Sequence, residues 1–468
     1  MPAPLPQAFL DALSFLDDTQ LKSDKDSLEH WGRDWTKHFE PDASLIVFPR
    51  STEEVARLVK AAFDFGVALT PSGGRTGLSA GAVAANGEVV VSLDKMTRVI
   101  EFFEADRLVH VEAGMVTEAL QNFALDQGLY YPVDFASAGS SQIGGNIGTN
   151  AGGIKVIRYG MTRQWVLGLT VVTGTGEVLH LNQGMMKNAT GYDFRHLMCG
   201  AEGTLGIVTE AMIKLERAPK NLTVMVLGSE DFGSIMKILS SFQKRVDLTA
   251  FEYFGDLAMQ KVIDAGHTRA PFESRTPFYA LLEFEAPYNE IMDEAMNVFE
   301  ECLEAGYAVD GVMSQSESQA QSLWALREGI SESIAPFTPY KNDISVLIGR
   351  VPDFMSEIEA IVSREYPEFE ICWFGHIGDG NLHLNILKPE NLTKDEFFER
   401  CKQVNVWVFE IVKKYGGSVS AEHGVGMTKK PYLNYSRSEG EIEIMRAVKR
   451  AFDPKGIMNP GKIFDLKA

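Results

Sequence analysis

The chain has 468 residues and a formal net charge of −20, set by 64 acidic against 44 basic side chains. That surplus repels polyanions and excludes nucleic acid and anionic membrane as general partners. A hydrophobic fraction of 45% is that of a globular protein able to bury a sizeable core. The length implies two or three domains, and no run of about eighteen apolar residues offers a membrane span.

In chain order, Met1 to Asp18 lacks both the basic segment and the apolar core of a secretory signal. It carries aspartates rather than arginines, which disfavours a mitochondrial transit peptide, so a cytoplasmic location is expected. Leu45-Ile46-Val47-Phe48 reads as a strand. Ser51 followed by Glu53 and Glu54 reads as the capped, acidic first turn of a helix that ends at Gly66. After a second strand comes Pro71-Ser72-Gly73-Gly74-Arg75-Thr76-Gly77-Leu78, whose glycines let backbone N–H groups converge on an anion. It matches neither a P-loop nor GxGxxG. A second glycine-rich stretch, residues 137–153, holds few side chains larger than asparagine and is expected to lay its backbone against a flat ligand. A third, Gly200-Ala201-Glu202-Gly203-Thr204-Leu205-Gly206-Ile207-Val208, runs into a strand. Three such loops point to a ligand longer than a mononucleotide.

From Leu222 the pattern changes. Residues 224–227, 248–253 and 279–284 read as strands, and 231–243 and 291–305 as helices, an α+β arrangement of helices covering an antiparallel sheet. Arg327 and Ser331 fall four apart in a helix-like run and are expected on one face. A guanidinium suits a carboxylate because its planar fork meets both oxygens, and Lys341 is a second candidate cation. A helix over 441–452 is stopped by Asp453-Pro454. The four cysteines, Cys199, Cys302, Cys372 and Cys401, include no CxxC pair. That fits a reducing compartment and excludes the usual four-cysteine iron–sulfur cluster, so redox electrons must leave by an external carrier.

The densest chemistry lies in Gly375-His376-Ile377-Gly378-Asp379-Gly380-Asn381-Leu382-His383-Leu384-Asn385, followed by Ala421-Glu422-His423-Gly424. Asp379-Gly380 predicts a tight hairpin turn. Centred there, it puts His376 directly opposite His383, with Cβ atoms roughly 4.5–5.5 Å apart, and Asn385 on the same face. Glu422 and His423 add an oxygen ligand and an imidazole. Two histidines and a carboxylate suit a divalent metal such as zinc with a position open to substrate. A hydrogen-bonding site for an anionic substrate uses the same residue types. Because Glu422 and His423 are neighbours and face opposite ways on a regular strand, Gly424 is expected to kink the backbone.

The order of Pro71–Leu78, Gly139–Gly153 and Gly203–Val208 resembles the FAD-binding domain of the vanillyl-alcohol oxidase and p-cresol methylhydroxylase (PCMH) superfamily. The second half, through Asn459-Pro460-Gly461-Lys462-Ile463-Phe464, resembles the FAD-linked oxidase C-terminal domain of D-2-hydroxyacid dehydrogenases, the D-2-hydroxyglutarate dehydrogenases above all. The resemblance implies an α+β protein: a two-subdomain PCMH-type FAD-binding domain over 1–218, a substrate and metal domain with an antiparallel sheet over 219–425, and a helical segment over 426–468 packing back on the FAD domain. It implies FAD held by Pro71, Ser72, Gly73, Gly74, Arg75, Thr76, Gly77, Leu78, Pro132, Gly139, Ser140, Ile143, Gly144, Gly145, Asn146, Thr149, Asn150, Ala151, Gly152, Glu202, Gly203, Gly206, Ile207 and Asn459. Some relatives attach FAD covalently to a histidine in the first loop. Gly73-Gly74-Arg75-Thr76 stands there in this chain, which implies non-covalent flavin. His376, His383 and Glu422 match metal ligands, Arg327, Ser331, Lys341 and Asn385 match substrate-binding residues, and His423 matches the base, itself in contact with substrate.

The implied reaction is oxidation of D-2-hydroxyglutarate to 2-oxoglutarate, with the C2 hydride passing to flavin N5. D-lactate, D-malate and glycolate are alternative substrates on the same scaffold, and a metal-dependent hydrolase is the alternative from another class. An electron-transferring flavoprotein or quinone is the expected acceptor, and a homodimer the expected assembly.

Overall fold

A computed structural model describes residues 4–36 and 39–466. The chain divides into two units. One comprises Met1–Gly152, Met161–Ala218 and Glu422–Ala468, the other Gly153–Gly160 and Pro219–Ala421.

The first unit holds two sheets. Strands β1 (Leu21–Lys22), β2 (Leu45–Val47), β3 (Leu69–Ser72) and β4 (Val89–Ser92) lie in the order β1-β2-β4-β3, with β2, β4 and β3 parallel. Helix Thr52–Phe65 makes the crossover from β2 to β3. Ser51 Oγ accepts the Glu54 N–H at its start, and Gly66 closes its end. Val55, Leu58, Val59 and Ala62, at helical spacing, are fully buried, each larger side chain stabilising by roughly 1.5–3 kcal/mol relative to exposure. The second sheet uses β5 (Val99–Phe103), β6 (Leu108–Glu112), β8 (Val166–Thr173), β9 (Val178–Leu181) and β10 (Gly206–Lys214), in the antiparallel order β5-β6-β10-β8-β9. Two short strands, β7 (Leu129–Tyr130) and β11 (Glu216–Arg217), pair separately.

The glycine-rich stretch departs from the loop expected of it. Ile143–Thr149 is a helix of two turns. Ile143 and Ile147, four apart, form one face and are fully buried, so two apolar side chains suffice to seat a helix that composition alone hides.

The second unit is one seven-stranded sheet. Strands β12 (Leu222–Ser229), β13 (Leu248–Gly255), β14 (Phe278–Glu285), β15 (Asp310–Met313), β16 (Tyr340–Ser345), β17 (Glu370–Gly375) and β18 (Asn381–Leu387) lie in the order β15-β12-β14-β13-β17-β18-β16, every neighbour antiparallel. Opposed residues share a face. The registers Val226–Leu281, Phe254–Tyr279 and Phe254–Phe374 therefore gather Val224, Val226, Ala250, Phe254, Leu281, Cys372 and Phe374 on one side. Helices Asp256–Asp264 and Glu317–Glu328 cover that side with Ala258, Val262, Leu323, Trp324 and Leu326. The expected α+β class with an antiparallel sheet in the second half is thus what forms.

The β17–β18 turn differs from the expected one. Phe374, not His376, faces His383. The turn is longer: His376 O accepts from Asp379 N (3.1 Å) and Asn381 N (3.2 Å). A two-residue turn of the type Asp-Gly favours needs positive φ at both central residues. Gly380 has φ +85° while Asp379 keeps a negative φ, so the turn opens by one step. His376 then lies opposite Asn381, diagonal to His383 on the same face. A side chain at Gly380 would put its Cβ 2.1 Å from Val346 O. Gly380→Ala is expected to cost about 2–4 kcal/mol, from strain plus clash. Gly416→Ala serves as the control, since its φ is +64° and nothing lies within 4 Å. It should cost about 1 kcal/mol. Equal urea midpoints for the two variants would show that the close approach contributes nothing.

Candidate active site

In the second unit, register assembles the polar residues. One step beyond the Tyr253–Gly375 pair brings Glu252 opposite His376. The pairs Cys372–Asn385 and Asn385–Lys341 put Lys341 and Asn385 in one row, and Phe374–His383 and His383–Asp343 put His383 and Asp343 in the next. All project from the face that carries Glu252 and the helix Glu317–Glu328.

Glu252 is 1% exposed, and its neighbours along the strand face are Ala250 and Phe254. A charge in such a place needs partners. Its Oε1 lies 2.8 Å from His376 Nδ1. Its Oε2 lies 2.7 Å from Arg327 Nε, as an ion pair without the alignment of a hydrogen bond. An ionised carboxylate only accepts, so His376 Nδ1 carries the proton and Nε2 presents its lone pair to a ligand. The rings of His376 and His383 are 5.2 Å apart. Asp343 Oδ1 stands 3.9 Å from His383 Nδ1 and accepts from Asn381 Nδ2 at 2.8 Å. Ala421 N donates to Asp343 O (3.3 Å), and Glu422 follows on the next peptide. His376 and His383 thus stand together in the second unit, and Glu422, the residue after Ala421, opens the last segment of the first. Two imidazoles and a carboxylate are donors that fit a divalent metal of the zinc type.

Arg327 stacks its guanidinium 4.7 Å over the Phe374 ring. Its Nη2 is buried and finds no hydrogen-bond partner among the described residues. A buried guanidinium with a donor to spare is suited to a carboxylate ligand. Ser331 does not join it. Helix Glu317–Glu328 ends before Gly329, a separate turn Ile330–Ser333 follows, and Ser331 is exposed while Arg327 is buried. Lys341 is reached by solvent, yet desolvation by the surrounding protein lowers its ammonium pKa from the ordinary value. Both Asn385 amide protons go to carbonyls, of His383 (3.1 Å) and Cys372 (3.4 Å), leaving the amide oxygen to meet a ligand. The run Ala421–His423 is a bend rather than a strand, so alternation does not separate Glu422 from His423.

In the first unit, the glycine loops lie against one another. A Cβ on Gly74 would fall 2.0 Å from Ser140 O, while Gly145 has nothing within 4 Å. Arg75 is used within the loop, donating to Gly73 O (3.1 Å) and Asp94 Oδ2 (3.3 Å). Thr70 Oγ1, Ser72 Oγ and Asn459 Oδ1 are buried without hydrogen-bond partners among the described residues. Orphaned hydroxyls and an amide beside a glycine cradle fit the phosphates and edges of a dinucleotide flavin. Glu202 uses its carboxylate within the protein. Its carboxylate accepts the Val425 and Gly426 N–H groups, both at 2.7 Å, and burial pushes its pKa up to about 7. Ser79 Oγ donates to the His423 and Gly424 carbonyls (2.8 and 3.0 Å), and Asn459 Nδ2 to Gly81 O and Glu202 O. Glu202 and Ser79 thus hold the loop that follows Glu422.

Residues 218–463 match the FAD linked oxidases, C-terminal domain, and residues 43–182 match the FAD binding domain. The chain belongs to the FAD-linked oxidase family. It is 64% identical to a D-2-hydroxyglutarate dehydrogenase of Stutzerimonas stutzeri (strain A1501), over 98% of this chain and 99% of that one. It is 50% identical to a D-2-hydroxyglutarate dehydrogenase of Xanthomonas citri pv. viticola, over 95% and 94%. Among solved structures, p-cresol methylhydroxylase with substrate bound superposes with a TM-score of 0.78 at 14% identity, covering 100% and 99% of the two chains. At that identity the likeness establishes the fold alone, and it is the expected one. FAD is the family's cofactor.

Sequence reasoning missed Glu252, Asp343 and Glu283. A signal existed for two of them: Phe251-Glu252-Tyr253-Phe254 and Leu282-Glu283-Phe284 each place a carboxylate inside a run too apolar to leave it solvated. Glu283 is buried and receives Lys155 Nζ (2.5 Å), Thr249 Oγ1 (2.5 Å) and Trp324 Nε1 (3.0 Å). It thereby pins the helix that presents Arg327.

Proposed function

We propose that the protein is an FAD-dependent dehydrogenase that oxidises D-2-hydroxyglutarate to 2-oxoglutarate. The observation that carries this reading is a pair of cations, Lys341 on the sheet and Arg327 on the helix that covers one of its faces. Buried Arg327, with an unpartnered Nη2, and Lys341, opposite Asn385, accompany the His376–His383–Glu422 donor set. A substrate with two carboxylates uses both cations, whereas lactate or glycolate uses one. The names of the 64% and 50% identical relatives point the same way.

Arg327 binds the C1 carboxylate and Lys341 the distal one. Asn385, with its amide oxygen left open, lines the substrate position beside Lys341. His423 takes the hydroxyl proton, a transfer suited to an imidazole at neutral pH. Bound FAD supplies a two-electron acceptor for the C2 hydride, and a metal on His376, His383 and Glu422 supplies Lewis acidity toward the C2 oxygen. Zinc is the metal that the donor set favours. The absence of histidine from Gly73-Gly74-Arg75-Thr76 supports non-covalent flavin. Four buried, unbridged cysteines support a reducing, cytoplasmic setting and an external acceptor such as an electron-transferring flavoprotein or quinone.

A substrate panel with a dye acceptor tests the assignment. Lys341→Met is expected to raise KM for D-2-hydroxyglutarate about 10–100-fold, the loss of one charge-assisted contact of about 1.5–3 kcal/mol, while leaving kcat/KM for D-lactate within about twofold. Equal losses on both acids, or a wild-type preference for D-lactate, would remove the second cation from substrate recognition.

A further inference from the structure

The strand face that carries the metal donors also carries a carboxylate with two partners of different function. Glu252 Oε1 faces His376 Nδ1 at 2.8 Å, and Oε2 faces Arg327 Nε at 2.7 Å. Glu252 is 1% exposed, and His376 and Arg327 are both buried, so solvent does little to screen the three groups from one another. Ala250 and Phe254 flank Glu252 and offer no polar alternative. A change in charge at one end of this triad is therefore felt at the other.

We infer that Glu252 is a positioning residue that couples metal binding at His376 to carboxylate binding at Arg327. The inference rests on the reading of the site given above. A cation on His376 Nε2 acidifies Nδ1–H and draws the carboxylate toward the imidazole, which loosens its hold on Arg327 and leaves the guanidinium freer for an anionic ligand. An anion on Arg327 has the reciprocal effect. It competes with Glu252 for the guanidinium, returns carboxylate charge to His376 Nδ1–H, and makes Nε2 a better donor. Linkage requires the two effects to be equal in size. The direction is positive, so each ligand tightens the other. Glutamate at 252 is also long enough to reach both partners from one strand position, and its charge is what the relay uses.

The test is the Zn²⁺ affinity of the FAD-loaded protein, measured by competition with a chromophoric chelator in the absence of turnover, with and without glutarate. Glutarate carries both carboxylates and no C2 hydroxyl. In the wild type, saturating glutarate is expected to tighten Zn²⁺ at least fivefold. Glu252→Gln keeps an acceptor for His376 and removes the charge, and it should weaken Zn²⁺ about 10–100-fold and cut the glutarate effect to less than twofold. A purely structural role lowers the melting temperature without abolishing the glutarate effect. If Glu252→Gln fails to fold with FAD, Glu252→Asp keeps the charge and shortens its reach to one partner, and the same loss of the glutarate effect is expected. Native Zn²⁺ affinity in a folded variant, or a glutarate effect of undiminished size, overturns the coupling and leaves the metal site standing. A wild type that binds no Zn²⁺ overturns both.

Discussion

Replacing Arg327 with methionine is expected to injure both stability and catalysis, and to do so through different atoms. The substitution leaves Glu252, 1% exposed, with the neutral His376 imidazole as its hydrogen-bond partner and no counter-charge from Arg327. Removing one member of a buried ion pair costs about 3–5 kcal/mol because the other stays behind uncompensated. It also removes Nη2, the buried donor assigned to the substrate's C1 carboxylate. Losing a charged, desolvated anchor of that kind is expected to lower kcat/KM about 10²-fold. Urea denaturation and dye-linked turnover read the two effects separately. A variant as stable as the wild type would show that the Arg327–Glu252 pair contributes nothing. A kcat/KM within about tenfold of native would take Arg327 out of the site.

Replacing His423 with asparagine is expected to lower kcat about 10²–10⁴-fold, the range for removing a positioned proton acceptor. KM should change little, because both carboxylate anchors remain. Protein structure near His423 is expected to survive, since what Ser79 holds there is the backbone carbonyl, not the ring. FAD content and melting temperature therefore serve as controls. The decisive reading is the anaerobic rate of flavin reduction in a single turnover. A rate equal to the wild type's would assign proton removal to another group.

The parts of the fold legible in the sequence are those set by local chemistry. Helix Thr52–Phe65 follows from the Ser51 cap, the glutamates behind it and four apolar residues at helical spacing. Helix Phe232–Gln243 forms within the expected 231–243, with Asp231 as its cap rather than its first residue. Three of the seven strands of the second unit are legible as apolar runs, and they extend up to two residues beyond the expected ends. The clustering of His376 and His383 is also legible, although the register that produces it differs by two residues, which keeps both on one face. Asp379-Gly380 carries the composition of a two-residue turn, but the backbone takes positive φ only at Gly380.

What stayed hidden depends on pairings remote in sequence. Glu252 meets His376 across 124 residues and Arg327 across 75, because β13 lies beside β17 in the sheet order. No local pattern announces that neighbour. The same holds for Lys155, which lies just after the glycine-rich stretch yet belongs to the second unit, where it meets Glu283 across 128 residues. Arg327 and Ser331 show the opposite error. Spacing of four implies a shared face only while the helix continues, and this one stops at Glu328.

The most direct test of the account is an anaerobic visible spectrum of the purified protein before and after D-2-hydroxyglutarate is added. The account predicts a flavin band near ~450 nm that bleaches within the mixing time of the experiment, as the bound cofactor accepts the C2 hydride. A flavin band that D-2-hydroxyglutarate leaves untouched, but that D-lactate or D-malate bleaches, would contradict the assignment of Lys341 to a distal carboxylate and with it the proposed substrate.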